Sequence, residues 1–204
     1  MSQPELDWTV PKDDFMLEML EVVINTIIYI RNVYPESIFK RQKMYNTTCY
    51  MCIYPPLKDY IQNVLITATA LKRQNELQKI DLIFEKDETT LLEIFSFGFE
   101  SAPGSKALFD DQSNDQYLIE TEETIRGILL SLDEKCKNLK KLPESGVNFK
   151  IFLHTTQQAL VKLTSDPKVQ DFPWTQGKDV TVESNTILPM VQVAGFQLNA
   201  EEFT

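Results

Sequence analysis

The residue types from which catalysis or metal binding would have to be built are few: one histidine, His154, three cysteines, and a loop of aspartates. A serine or cysteine nucleophile needs a base, so a triad would have to draw on His154. That histidine closes a strand-like run, and no serine sits in the small-residue setting of a nucleophile elbow. A structural histidine is the better reading. Cys49 and Cys52 have CxxC spacing, but tetrahedral zinc needs further ligands and neither a second pair nor a histidine lies nearby. They read as ordinary strand or loop cysteines. Asp110, Asp111 and Asp115 offer oxygen ligands to a hard cation, yet they lack the glycine and glutamate spacing of an EF-hand. Six glycines leave no phosphate-cradling loop of the Walker or dinucleotide kind. No catalytic residue, metal ligand or cofactor is assigned. A small hydrolase or metal-dependent enzyme using His154 or the aspartate loop stands as the alternative from another class.

Charge narrows the partners. The formal net charge is −10, with a pI near 4.7. Affinity for nucleic acid comes largely from lysine and arginine neutralising phosphates, so direct binding is disfavoured. Lys40, Arg41 and Lys43, and the lysines between 135 and 141, read as solvated faces. If DNA matters here, it arrives through a partner. No run approaches the roughly 18–20 apolar residues of a membrane span. Val22 to Ile30 comes nearest, but Asn25 interrupts it and Arg31 follows, which makes it a core helix. Pro4, Glu5 and Asp7 do not resemble a secretory leader. The odd cysteine count then suggests a reducing compartment.

The elements that would position these groups follow from periodicity. With 204 residues and 43% hydrophobic content, one domain with a sizeable core is expected. Asp13 or Asp14 caps a helix reaching about Tyr34, where Pro35 stops it. A loop carrying the basic KRQK stretch leads to Pro55-Pro56, which open a second helix ending near Arg73. Ile80, Leu82 and Phe84, then Leu91 to Phe99, alternate as two strands of a hairpin turning at Lys86 to Glu88. Residues 101–115 are turn-rich and read as surface loop. A third helix carries Leu118, Ile125, Leu129, Leu132, Cys136 and Leu139, and Phe149 to Leu153 form another strand. Beyond Asp171 come short strand-like pieces at Val180 to Val182, Ile187 to Val193 and Phe196 to Leu198. That tail is too short for its own core, so it must pack on the body or wrap something held against it.

YIRNVYPESIF (29–39), YPPLKDYIQ (54–62) and DFPW (171–174) carry a resemblance, with echoes at TIRGILLSL (124–132), FLHT (152–155) and FQLNAEE (196–202). In order and spacing they resemble the HORMA-domain accessory subunits of translesion DNA polymerase zeta, relatives of the mitotic-arrest-deficient checkpoint proteins. The resemblance implies an α+β HORMA domain over 12–202, three helices packed on an antiparallel sheet. Its body runs to about 170 and a C-terminal safety belt covers about 171–202.

Members of that family are non-enzymatic adaptors. The belt closes over an extended, proline-containing partner segment that adds as a strand, so main-chain bonds give affinity and side-chain pockets give selectivity. Tyr60 and Trp174 match aromatics of the peptide groove, with Tyr34 and Pro173 as further wall positions. Read without the resemblance, the same aromatics fit a core. Ile187, Gln197 and Asn199 match a second docking surface, where the family meets a deoxycytidyl-transferase polymerase. Asn199 replaces an aromatic there, and the Pro189–Gln197 segment is shorter than the pattern. Arg126 matches the arginine at which family members pair, as homo- or heterodimers.

The resemblance implies as partners the catalytic subunit of polymerase zeta, shieldin, and an AAA+ ATPase that reopens the belt. It implies a nuclear protein, present in the cytoplasm as well. The rival reading is a spindle-checkpoint HORMA protein clasping an activator of the anaphase-promoting complex.

Overall fold

The computed structural model describes residues 12–87, 90–99, 115–156, 159, 186–193 and 196–203. Trp174, Pro173, Asp110, Asp111, most of the 101–115 loop and the Val180 to Val182 piece lie outside the described residues.

α1 spans Lys12–Ile30. Met19, Leu20, Val22, Val23, Ile24, Ile27 and Ile28 are all buried, so the helix is apolar nearly all round and runs through the centre of the domain. Asn25, the polar interruption, is buried and useful: its Oδ1 accepts from the Cys52 amide at 3.0 Å. The helix stops four residues short of Tyr34. Asn32 takes a φ of 55°, and the amides of Asn32 and Val33 turn back to the carbonyls of Tyr29 and Ile28. That is a Schellman end, and an asparagine in the left-handed region sets it before Pro35 acts.

The loop expected between the first two helices is instead a two-stranded hairpin, β1 (Phe39–Met44) and β2 (Thr47–Cys52). Its turn residues Tyr45 and Asn46 have φ of 48° and 51°, the mirror-image turn that suits hairpin twist. β1 is polar and mostly exposed, so it lacks the alternation that marks a strand in sequence. α2 (Pro55–Arg73) has the expected limits, with prolines in the first turn and a second Schellman end at Asn75.

β3 (Leu77–Lys86) and β4 (Thr90–Gly98) form the expected hairpin, α3 covers Asp115–Cys136, and β5 is Val147–Thr155. Two more strands, β6 (Thr186–Val193) and β7 (Phe196–Glu202), close the description. The five-stranded antiparallel sheet runs β5-β3-β4-β7-β6. Ile80, Leu82, Phe84, Phe95, Phe97, Phe196 and Leu198 are buried on one face in a single core with all three helices. The tail hairpin thus joins the sheet beside β4, on the side away from β5.

Candidate functional site

Both ends of this sheet are edges, and they are finished differently. β6 carries Pro189, which donates no ladder bond, and a bulge between Pro189 and Val191. The bulge leaves Met190 buried, and α3 takes the carbonyls it turns outward: Lys135 Nζ donates to Pro189 O at 2.9 Å and to Met190 O at 2.6 Å, and Ser131 Oγ reaches Met190 O at 3.2 Å. Proline, a bulge and a lysine are the devices by which natural sheets stop an edge from pairing. β5 carries no proline, and its lysine, Lys150, is paired with Glu85 of the neighbouring β3. Among the described residues no strand pairs with its outer side.

What stands beside β5 is aromatic. Tyr60, on the first half of α2, is 39% exposed, and its hydroxyl accepts a hydrogen bond from the Ile151 amide at 3.0 Å. Its ring meets Phe149 edge-on at 5.7 Å, and Tyr34 meets Phe149 edge-on at 6.0 Å. Burial pushes both phenols above their ordinary pKa, the bond from Ile151 and the charge of Lys150 opposing it at Tyr60. Two of the expected groove residues are therefore brought together on a common neighbour, Phe149. Phe149 was read from the sequence only as a strand residue. Its alternation with Ile151 and Leu153 gave its face, but nothing in the sequence marks which edge stays open.

The fold carries strands in the order that leaves β5 outermost, and its sequence matches the HORMA domain model over residues 13–164. The chain belongs to the HORMA-domain family. It is 34% identical over 186 residues to DNA polymerase zeta subunit 2 of Drosophila melanogaster, covering 89% of this chain and 91% of that protein. It is 28% identical to human mitotic spindle assembly checkpoint protein MAD2B, over 87% of this chain and 82% of that one. Among solved structures, a chain of the mitotic checkpoint complex superposes with a TM-score of 0.74 at 14% identity, covering 94% of this chain and 98% of that one. Caenorhabditis elegans HTP-2 bound to the HIM-3 closure motif gives 0.61 at 17%, covering 93% and 89%. This HORMA protein is thus related to polymerase zeta subunit 2 and MAD2B, and it shares the fold of those two solved structures.

Other expected positions lie elsewhere on the HORMA fold. Gln197 and Asn199 sit half-buried on β7, on the sheet face opposite the helices, and Ile187 of β6 pairs in register with Glu201. Arg126, half-buried on α3 and 3.8 Å from Glu123, lies at helical spacing from the exposed Ile119 and Leu130.

Of the groups weighed for catalysis, the described ones, His154, Cys49 and Cys52, have structural contacts. Asp81, buried in β3, accepts from Ser96 Oγ at 2.7 Å and lies 2.7 Å from His154 Nε2 and 2.8 Å from Lys79 Nζ. Serine and histidine both bond the aspartate and not each other, the reverse of the order that activates a serine. Cys49 and Cys52 are buried on β2, their thiols directed at the carbonyls of Met44 and Tyr54, and burial raises both above the usual thiol value. No metal-holding cluster occurs among the described residues.

Proposed function

We propose that this HORMA protein is a non-enzymatic adaptor that receives an extended, proline-containing segment of a partner as an added strand on β5, under a C-terminal belt whose β6–β7 hairpin is anchored at the far end of the sheet. The observation that carries this reading is the contrast between the two sheet edges. One is blunted by Pro189, a bulge and Lys135. The other pairs with no strand among the described residues and is walled by Tyr34, Phe149 and Tyr60. Strand addition supplies main-chain bonds, and flat aromatic rings suit the rigid apolar face of proline.

The relative named DNA polymerase zeta subunit 2 supports the catalytic subunit of that polymerase as the partner, and with it a nuclear role in translesion synthesis. The exposed stripe around Arg126 supports pairing between HORMA copies. The β6–β7 hairpin, with Ile187, Gln197 and Asn199, is where a second polymerase would dock. The name MAD2B supports a rival partner, an activator of the anaphase-promoting complex. Affinity purification from cells followed by mass spectrometry separates the two. The first reading expects the polymerase subunit to co-purify, and loss of the protein to cause damage sensitivity with intact mitotic arrest. Recovery of the activator alone, with failed arrest, would reverse the order.

A further inference from the structure

The hairpin of β1 and β2 runs against the charge of the chain. No aspartate or glutamate lies between Glu36 and Asp59, while Lys40, Arg41 and Lys43 crowd along β1. All three are exposed. Among the described residues none of them meets a carboxylate, whereas Lys79, Lys137 and Lys150 each do. Lys135, in the other basic stretch, is engaged with the carbonyls of β6. Charged side chains blunt an exposed strand, and in an acidic chain glutamate would serve for that as well as lysine. Edge protection alone does not account for three cations and no acid.

The face that Arg41 and Lys43 share is partly aromatic. Arg41 stands opposite Tyr50 and Lys43 opposite Thr48, so these four lie on one side of the ribbon, and Arg41 Nη2 donates to Thr48 Oγ1 at 3.2 Å. Tyr29, near the end of α1, stacks on Tyr50 at 3.7 Å, and Phe39 meets Tyr29 edge-on at 5.5 Å. Tyr29 and Tyr50 are half-buried, which leaves part of each ring open. Burial and the bond to Tyr50 push the Tyr29 phenol up to about 12, so it stays neutral at pH 7. Arg41 and Lys43 are two residues apart, roughly 7 Å along the strand. That is close to the step between phosphates of an extended nucleic-acid strand.

We infer that this face of the β1–β2 hairpin binds single-stranded nucleic acid, with Arg41 and Lys43 on successive phosphates, Lys40 adding charge beside them, and Tyr29 and Tyr50 offering ring surface to a base. Cations that track the backbone, combined with aromatic rings for the bases, hold single strands without reading their sequence. The acidic total of the chain does not forbid this. Charges act over about 8 Å at physiological ionic strength, so a strand meets the local surface first. The total keeps the binding weak and dependent on salt. The site stands independently of strand addition to β5.

Fluorescence anisotropy of the full-length protein with a fluorescein-labelled oligothymidylate tests this. Three phosphates neutralised on a single strand give a slope of about −2 in log K against log salt, so affinity should fall about twentyfold between 50 and 200 mM. Lys40→Gln, Arg41→Gln and Lys43→Gln together should abolish that slope and most of the binding, and leave the urea midpoint unchanged because the side chains are exposed. Tyr50→Leu should weaken binding at least about fivefold at every salt concentration and keep the slope. Lys137→Gln with Lys141→Gln removes two cations elsewhere and should change affinity by less than about twofold. Absence of binding at the lower salt overturns the site, as do equal losses from the two sets of charge substitutions. Polyglutamate competing as well as unlabelled oligothymidylate overturns it in favour of an acidic protein partner. Unchanged affinity in a folded Tyr50→Leu variant overturns it in favour of charge attraction alone.

Discussion

Arg31, just past the end of α1, forks onto Glu93 of β4 with both side chains almost wholly buried. The same guanidinium donates to the carbonyls of Cys136 and Lys140 where α3 ends, a position at which the helix dipole favours a cation. Glu202 of β7 accepts from the Lys140 amide at 2.7 Å, so the end of the tail hairpin is tied to the same point.

Removing one partner of a buried pair leaves the other charge stranded. Arg31→Ala should cost about 3–5 kcal/mol, whereas replacing both partners together with apolar residues, Arg31→Met with Glu93→Leu, should cost less. Urea midpoints of the variants measure this. A double variant as unstable as Arg31→Ala would mean that the carbonyl contacts, not the pair, carry the effect.

Two buried carboxylates should bend the pH profile in opposite directions. Burial alone would raise Asp81, but its bonds from His154, Lys79 and Ser96 outweigh that and hold it below the usual value. Its contribution is present above the unfolded value of about 3.9 and is lost as pH falls through the lower folded value. Burial dominates at Glu93 despite Arg31, and its pKa is raised. That contribution is full below about pH 4.3 and declines as pH rises through the folded value. Asp81→Asn should therefore flatten the acid limb of stability, and Glu93→Gln should flatten the decline above it, both followed by urea midpoint against pH.

Truncating the groove should cost binding and spare the fold. Tyr60→Ala with Trp174→Ala should weaken the partner segment by at least about 2 kcal/mol, as for hot-spot aromatics. Equal pull-down by this double variant and the wild type would count against the groove.

The tail hairpin is held at its bulge. Met190→Ala removes a buried side chain, worth about 2–5 kcal/mol in a core. Lys135→Met frees the two carbonyls it holds. Each should raise hydrogen exchange across β6 and β7 before it affects β3. Uniform loss of protection through the whole sheet would argue that the hairpin does not open by itself.

Periodicity made the helices and the central strands legible, because burial imposes it: α2 runs between the limits that Pro55 and Arg73 suggested. It failed at the β1–β2 hairpin, where the exposed polar residues of β1 carry no alternation and the turn is Tyr45-Asn46 instead of a glycine pair. The end of α1 was misplaced because Pro35 is conspicuous and the left-handed Asn32 is not. For the site, resemblance supplied Tyr34 and Tyr60, and the structure joins them through Phe149. Strand order, and hence the open edge, depends on long-range pairing that no local pattern encodes.

The unequal finishing of the two edges also sets a limit on size. A sheet that can be extended on one side alone accepts a single addition and is then complete. Even a second copy, meeting the first through β5 about a twofold axis, would consume both available sides and end as a closed pair. A fibre would need a second growing end, and β6 does not provide one.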